Sequence, residues 1–447
     1  MTEIALSNPL FVLGAIFLGH ALQIGNGFYD PAALAWLTAA FVLGVSGTLA
    51  LRHRRSTSGQ LLTCGLLVAG IAWQLAALIG ERPGVHLPDD VDMRPFVAGI
   101  AAEALVIGAG VVGVRALARA WFPLVLAINV MLGVWMVRAS PDPTIDVVTV
   151  HREAIAALRQ HKDPYAMSFQ NIYGDEATNF YNPDVLVGNR VAFGFPYPPA
   201  SLLLALPGET LAGDFRYSAL VALVAGAAFV GFASGGLVSK LAACLFLTTP
   251  RIFYVLEQGW TEPYGVLLLA ATVFLAIRRP WLLGLAGGLL IVTKQYLGLA
   301  APLLLKAAFM RGVKPVPVLI QAVAIASCVT LPFALWHSHA FFNSVLWIQT
   351  LEPFRNDSLS YLSWAHRTGL GAHTFWWSLG AAALVVVATL LVVPNTPAGF
   401  AASVALTTFA MFSFGSKAFC NYYFFVIGAL VVAAAAPPSI RGSTPTP

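Results

Sequence analysis

The residues best placed to do chemistry lie in one polar stretch, Arg138 to Tyr197, set between long apolar runs. It reads PDPTIDVVTVHREAIAALRQHKDPY, then a Tyr/Asn-rich segment, then GFPYPPASLLL. Polar residues held outside a rigid scaffold are where binding and catalysis concentrate. Asp146 is the first candidate. It follows Arg138 closely, at the end of an apolar run, and an apolar stripe follows it. A partly desolvated carboxylate there can act as a general base on a hydroxyl. Its other reading is a capping or first-turn acid for the helix behind it.

The remaining acids of the stretch read differently. Asp142 and Asp163 each precede a proline, as turn and helix-stop residues do. Asp175, Glu176 and Asp184 sit among Tyr173, Asn179, Tyr181 and Asn182. That mixture suits carbohydrate, with rings on sugar faces and amides on hydroxyls, and equally suits an ordinary surface loop. Further along, Glu257, Gln258 and Glu262 (LEQGWTEPYG), Lys294 and Gln295 (IVTKQYLG), and Lys417 and Asn421 (GSKAFCNYY) stand at the ends of apolar runs. Charge at membrane depth is costly and is functional or paired. Lys294 suits a lipid-linked phosphate or an ion pair with Glu257 or Glu262. Arg355 and Arg367, with His337, His339, His366 and His373, are phosphate candidates or solvated loop charges. The histidines lack the tight spacing of a helical zinc site.

Membrane helices must position these groups. Of the 447 residues 58% are hydrophobic and only 10% charged, against about 25% charged in soluble domains. The net charge of +5 is spread between the apolar runs, so it does not point to nucleic acid. Cys64, Cys244, Cys328 and Cys420 fit neither a zinc site nor a disulfide framework. Apolar runs predict about 14 spans, near 8–24, 31–51, 61–80, 96–115, 121–137, 216–234, 238–250, 263–277, 281–293, 296–310, 315–336, 374–393, 397–414 and 420–437. This is an all-α polytopic membrane protein: helices in 1–137, an extracytoplasmic loop in 138–215, helices in 216–437 with a second outer loop at 337–373, and a cytoplasmic tail at 438–447. Arg52, Arg54, Arg55, Arg115, Arg119, Arg278, Arg279, Arg311 and Lys314 fall on one side if the N-terminus is cytoplasmic. The first run lacks a basic leader and an obvious cleavage site and reads as a retained span.

Within the main loop, residues 145–160 predict a helix with Ile145, Val148, Ile155 and Leu158 on one side. Arg152 and Arg159 on that same side would snorkel towards headgroups of a helix lying on the membrane. Residues 198–207 open with a proline pair and predict a short interfacial or re-entrant helix.

Four segments carry a resemblance: PTIDV…HREAIAALRQHKDPY, YPPASLLL, EQGWTEPYGVLLLA, and KQY followed by APLLL, all within about residues 138–310. In this order they resemble the GT-C class of integral-membrane glycosyltransferases, and more specifically bacterial polyprenyl-phosphate-mannose-dependent mannosyltransferases. The resemblance implies a GT-C-like bundle in the plasma membrane, a polyprenyl-phosphate-linked sugar donor, a glycolipid or glycan acceptor, and inverting transfer on the outer face. It makes Asp146 the base. Lys294, Arg355 and Arg367 become contacts of the donor phosphate, and Tyr165, Tyr173, Tyr197, Glu257, Glu262 and Gln295 substrate contacts. A monophosphate donor needs no metal, because basic side chains offset the leaving charge. The chain departs from the class in one respect: the catalytic loop there follows the first span, and here about five spans precede it. The standard position would select Asp30 in GNGFYDP. The rival reading is a multi-pass lipid or glycan transporter, which predicts inverted repeats and polar groups near the bilayer centre; no clear repeat is found.

Overall fold

A computed structural model describes residues 4–5, 7–52, 55–310, 312–370 and 376–437. Five long helices open the chain: α1 (Ser7–Gly25), α2 (Pro31–Ala50), α3 (Thr57–Gly80), α4 (Arg94–Val112) and α5 (Trp121–Ala139). The polar stretch holds α6 (Asp146–Arg159) and α7 (Pro199–Ala212). After α8 (Arg216–Ser234) the helices shorten: α9 (Leu237–Leu247), α10 (Ile252–Glu257), α11 (Glu262–Arg278), α12 (Leu283–Ile291), α13 (Gln295–Gly298) and α14 (Leu304–Ala308). The long α15 (Pro315–Trp336) leads into α16 (Ser338–Phe342), a π-helical turn (Asn343–Trp347), α17 (Ile348–Leu351) and α18 (Tyr361–Arg367). The chain closes with α19 (Trp376–Val392), α20 (Pro397–Ser413) and α21 (Cys420–Ala435).

The protein is therefore a helical polytopic chain. Among the described residues seven helices, α1–α5, α8 and α15, are long and apolar enough to cross a bilayer. The 14 runs read from the sequence are not 14 full spans. The run at 238–250 yields only 11 helical residues, and 281–293 yields a short helix opened by a 3-10 turn. The run at 296–310 breaks into α13, a 3-10 turn at Ala301–Leu303 and α14. Pro302 lacks the amide that a continuous helix needs there. The tail predicted at 438–447, and Arg54, Arg311 and His373, lie outside the described residues.

Two regions of extended chain are present. β1 (Ile4–Ala5) pairs antiparallel with β2 (Arg55–Ser56). In the polar stretch β3 (Phe169–Gln170), β4 (Leu186–Val187) and β5 (Arg190–Val191) form an antiparallel sheet of order β3-β5-β4, with Phe169 and Leu186 both opposite Val191. The sequence reading did not include this sheet.

The core is centred on α21 and α20, buried along nearly their whole lengths. α1, α9 and α11 pack on α21, and α19 and α2 on α20. At one end, basic side chains cap helix C-termini, where carbonyls lack partners. Arg52 donates to the Val392 carbonyl (2.6 Å), Lys306 to Val393 (2.6 Å) and Arg278 to Ala233 (3.0 Å). The polar stretch occupies the other end.

Arg216 is among the residues that fasten that stretch to the bundle. Wholly buried at the start of α8, it binds both oxygens of Asp214. It also donates to the carbonyls of Ser140 (2.8 Å), Pro141 (3.3 Å) and Glu257 (3.3 Å). Breaking a buried pair strands its partner, so R216M is expected to destabilise the protein by ~3–5 kcal/mol. Thermal unfolding in detergent checks this: R216M should melt well below wild type.

Candidate functional site

α6 is amphipathic, and its apolar face packs on protein rather than on lipid. Val148, His151 and Ile155 are buried, and the His151 ring lies flat against Phe215 at 4.8 Å and stacks on Tyr197 at 5.6 Å. Arg152 does not snorkel: it donates to Asp142 (2.8 Å) and to the Pro141 carbonyl. Burial lowers the His151 pKa to about 4, from about 6.5 for the free side chain. The unfolded chain therefore binds the extra proton between pH 6.5 and 4, and stability falls as pH drops through that window. The expected loss reaches ~3 kcal/mol. An H151F variant should flatten the stability–pH profile between pH 4 and 7.

This packing fixes Asp146 at the first residue of α6. The cap position is Ile145, which makes no side-chain cap. Asp146 Oδ1 accepts from the adjacent Val147 amide (2.7 Å), and Oδ2 accepts from the Tyr181 hydroxyl (2.8 Å). Tyr173, stacked on Phe180 at 4.0 Å, lies in the same field. Burial, and then the Asp146 charge, raise the hydroxyl pKa values of both tyrosines. Both phenols stay protonated and available as donors to the carboxylate.

Beside this cluster is a cavity of about 330 Å³ lined by Tyr197, Lys294, Gln295, Tyr296, Lys417 and Tyr422, with Glu352 and Thr350 at one wall. The chain breaks between α12 and α13, leaving Lys294 extended at the cap of α13. Its ammonium binds Glu262 Oε1 (3.0 Å), which also accepts from Asn421 (3.1 Å). It lies 4.5 Å from the Tyr197 ring and 5.9 Å from that of Tyr422, both attractive placements for a cation. Across the cavity Lys417 pairs with Glu352. Burial lowers the Lys417 pKa, and Glu352 and Asp146 oppose that shift. The Tyr197 phenol is pushed up by burial and then by the charges of Asp146, Glu262 and Glu352. Asp146 and the cavity thus belong to one electrostatic neighbourhood.

The supporting contacts are long-range in sequence. The Gly194 amide donates to Ser344 Oγ (2.9 Å), which also reaches the Tyr165 carbonyl. A Cβ at Gly194 would lie 2.0 Å from that carbonyl oxygen, so only glycine permits the approach. The Tyr165 hydroxyl holds the Tyr197 carbonyl (2.9 Å), and Gln295 straps the Pro196 and Val345 carbonyls together. The segment around Glu352 is tied to the α20–α21 turn by Arg355 N to Ser416 O (3.2 Å) and Leu359 N to Ala418 O (2.9 Å).

The predicted residues therefore separate. Asp146, Tyr173, Tyr197, Lys294 and Gln295 gather at or beside the cavity, with Glu262 behind Lys294. Arg355 is adjacent: paired with Asp357 (2.7 Å), it lies between the rings of Phe180 (4.9 Å) and Phe419 (4.7 Å). Tyr165 is a positioning residue. Arg367 is exposed over the Tyr29 ring at 4.5 Å and lies off the cavity lining. Glu257 is fully buried and accepts from the amides of Val85 (2.7 Å) and His86 (3.0 Å), so it pins the α3–α4 loop. Asp30 caps α2, accepting from Ala32 (2.8 Å) and Ala33 (3.0 Å). Asp163 is held by the Tyr165 amide (2.8 Å) and His337 (2.7 Å). Among the described residues no three His, Cys, Asp or Glu side chains form a group able to hold a metal ion. Sequence reasoning singled out neither Glu352 nor Tyr422; Tyr181 entered only in the carbohydrate-suited mixture, and Lys417 only as a charge that is functional or paired. For Lys417 the signal was present, a lysine between two apolar helices in GSKAFCNYY.

No protein-family model, no curated protein and no solved structure matches the chain.

Proposed function

We propose that the protein is an inverting membrane glycosyltransferase of the GT-C type, moving a sugar, mannose first among the choices, from polyprenyl phosphate to a glycolipid or glycan hydroxyl on the outer face of the plasma membrane. The observation that carries this reading is Asp146, half-buried beside the hydroxyls of Tyr181 and Tyr173, sharing its electrostatic neighbourhood with a cavity that presents Lys294 and Lys417. A base and a pair of cations suit sugar transfer from a polyprenyl phosphodiester, whose leaving group is a phosphate monoester.

In the proposed reaction the acceptor hydroxyl gives its proton to Asp146 as its oxygen bonds the anomeric carbon. The bond from that carbon to the donor phosphate oxygen breaks on the opposite face, and polyprenyl phosphate leaves with the electron pair. Lys294 and Lys417 offset its charge, Arg355 adds to the positive field, and Tyr197 and Tyr422 give the sugar and isoprenoid apolar surface. The position of these groups at the helix ends, beside the polar stretch, supports transfer at the membrane surface.

The test is transfer by the purified full chain in nanodiscs, with a polyprenyl-phosphate-mannose analogue and a short mannoside acceptor. Glycosylated product is expected. Absence of product with both mannose and pentose donors overturns the reading.

A further inference from the structure

A second cavity lies outside this site, between α5 and the start of α4. It measures about 580 Å³ and is walled by Val130, Met131, Val134 and Trp135 of α5 and by Val91 and Pro95. Its two polar lining residues are Asp92 and Arg138. They are not equivalent. Asp92 is satisfied by Arg94, which donates to both its oxygens (2.9 Å each). Arg138 is exposed and makes no ion pair among the described residues. The groove therefore has an apolar floor and one free cation at its rim.

Its dimensions point to an occupant. The wall from Val130 to Ala139 is nine helical steps, about 13 Å at 1.5 Å per residue. Half of a ~30 Å hydrocarbon core is about 15 Å. The groove is thus as deep as one leaflet, with the guanidinium at headgroup level. Trp135, tilted against Phe96 at 5.0 Å, stands one turn below Arg138, where indoles settle in bilayers. Arginine is suited to bidentate contact with phosphate.

We infer that this groove is a binding site for an anionic phospholipid, one acyl chain lying between α5 and the start of α4 and the phosphate on Arg138. The lipid tethers the α5 end, eight residues before Asp146, at a fixed depth in the leaflet. The inference does not depend on the catalytic reading.

Native mass spectrometry of the full chain, titrated in detergent with phosphatidylglycerol or phosphatidylcholine, tests it. Wild type is expected to retain one phosphatidylglycerol at least ~10-fold more tightly than phosphatidylcholine, the range of a charge-assisted contact. R138Q should lose that preference. M131W, which fills the groove, should lose the bound lipid, and R119Q, an arginine outside the groove lining in the α4–α5 connection, should behave as wild type. Circular dichroism reports whether each variant is folded. Equal retention of the two lipids by wild type, or equal losses in R119Q and R138Q, overturns the site. Polyprenyl phosphate outcompeting phosphatidylglycerol overturns the choice of occupant.

Discussion

Sugar transfer is expected to fall ~10²–10⁴-fold in D146N, the range associated with losing a general base, with the fold intact. The amide oxygen of Asn can still accept from the Tyr181 hydroxyl, which now meets one Asp146 oxygen at 2.8 Å. The loop should therefore keep its place while the proton acceptor is gone. Substrate binding measured separately should change little, so the loss should appear in kcat. D30N and D163N are the controls, because those carboxylates already serve as a helix cap and as a partner of His337. If D146N transfers at the wild-type rate, Asp146 is not the base. If D163N fails instead while remaining folded, the base lies in the HKDPY turn.

The second large effect is expected at Lys294, where two roles share one ammonium. K294M should reduce transfer ~10²–10³-fold, as loss of one group stabilising developing charge does. It should also destabilise the protein by ~3–5 kcal/mol, because Glu262 is wholly buried and would be left without its cation. The double variant K294M/E262Q separates the roles. Removing both charges should recover most of the stability, since Asn421 can still bond the new amide. It should not recover transfer. Recovery of both would make the pair purely structural and move phosphate binding to Lys417 and Arg355.

How far the site was legible in the sequence follows the same division. The type and spacing of residues determined that the chain is helical and polytopic, because runs this apolar have no other way to satisfy their backbone in lipid. They also determined that α6 forms, that it starts near Asp146, and that it ends before HKDPY, where Pro164 disfavours helix at Asp163. Lys294 stood out because a charge between two apolar runs is rare. Helix lengths in the second half were not legible. Hydropathy measures composition, and it cannot see that Pro302 interrupts the 296–310 run, which reads as continuous.

Only the tertiary structure decided which polar groups meet. Glu257 and Glu262 are five residues apart in one motif, yet one pins the α3–α4 loop and the other pairs with Lys294. Lys417 joins Lys294 at one cavity across more than a hundred residues of chain. Arg355 and Arg367 looked alike as loop cations, and only Arg355 is held beside the tyrosines around Asp146. Such pairings are set by the packing of α13, α17 and the α20–α21 turn. Local sequence specifies each element's periodicity, but the distance between elements is fixed only when their buried faces close on one another.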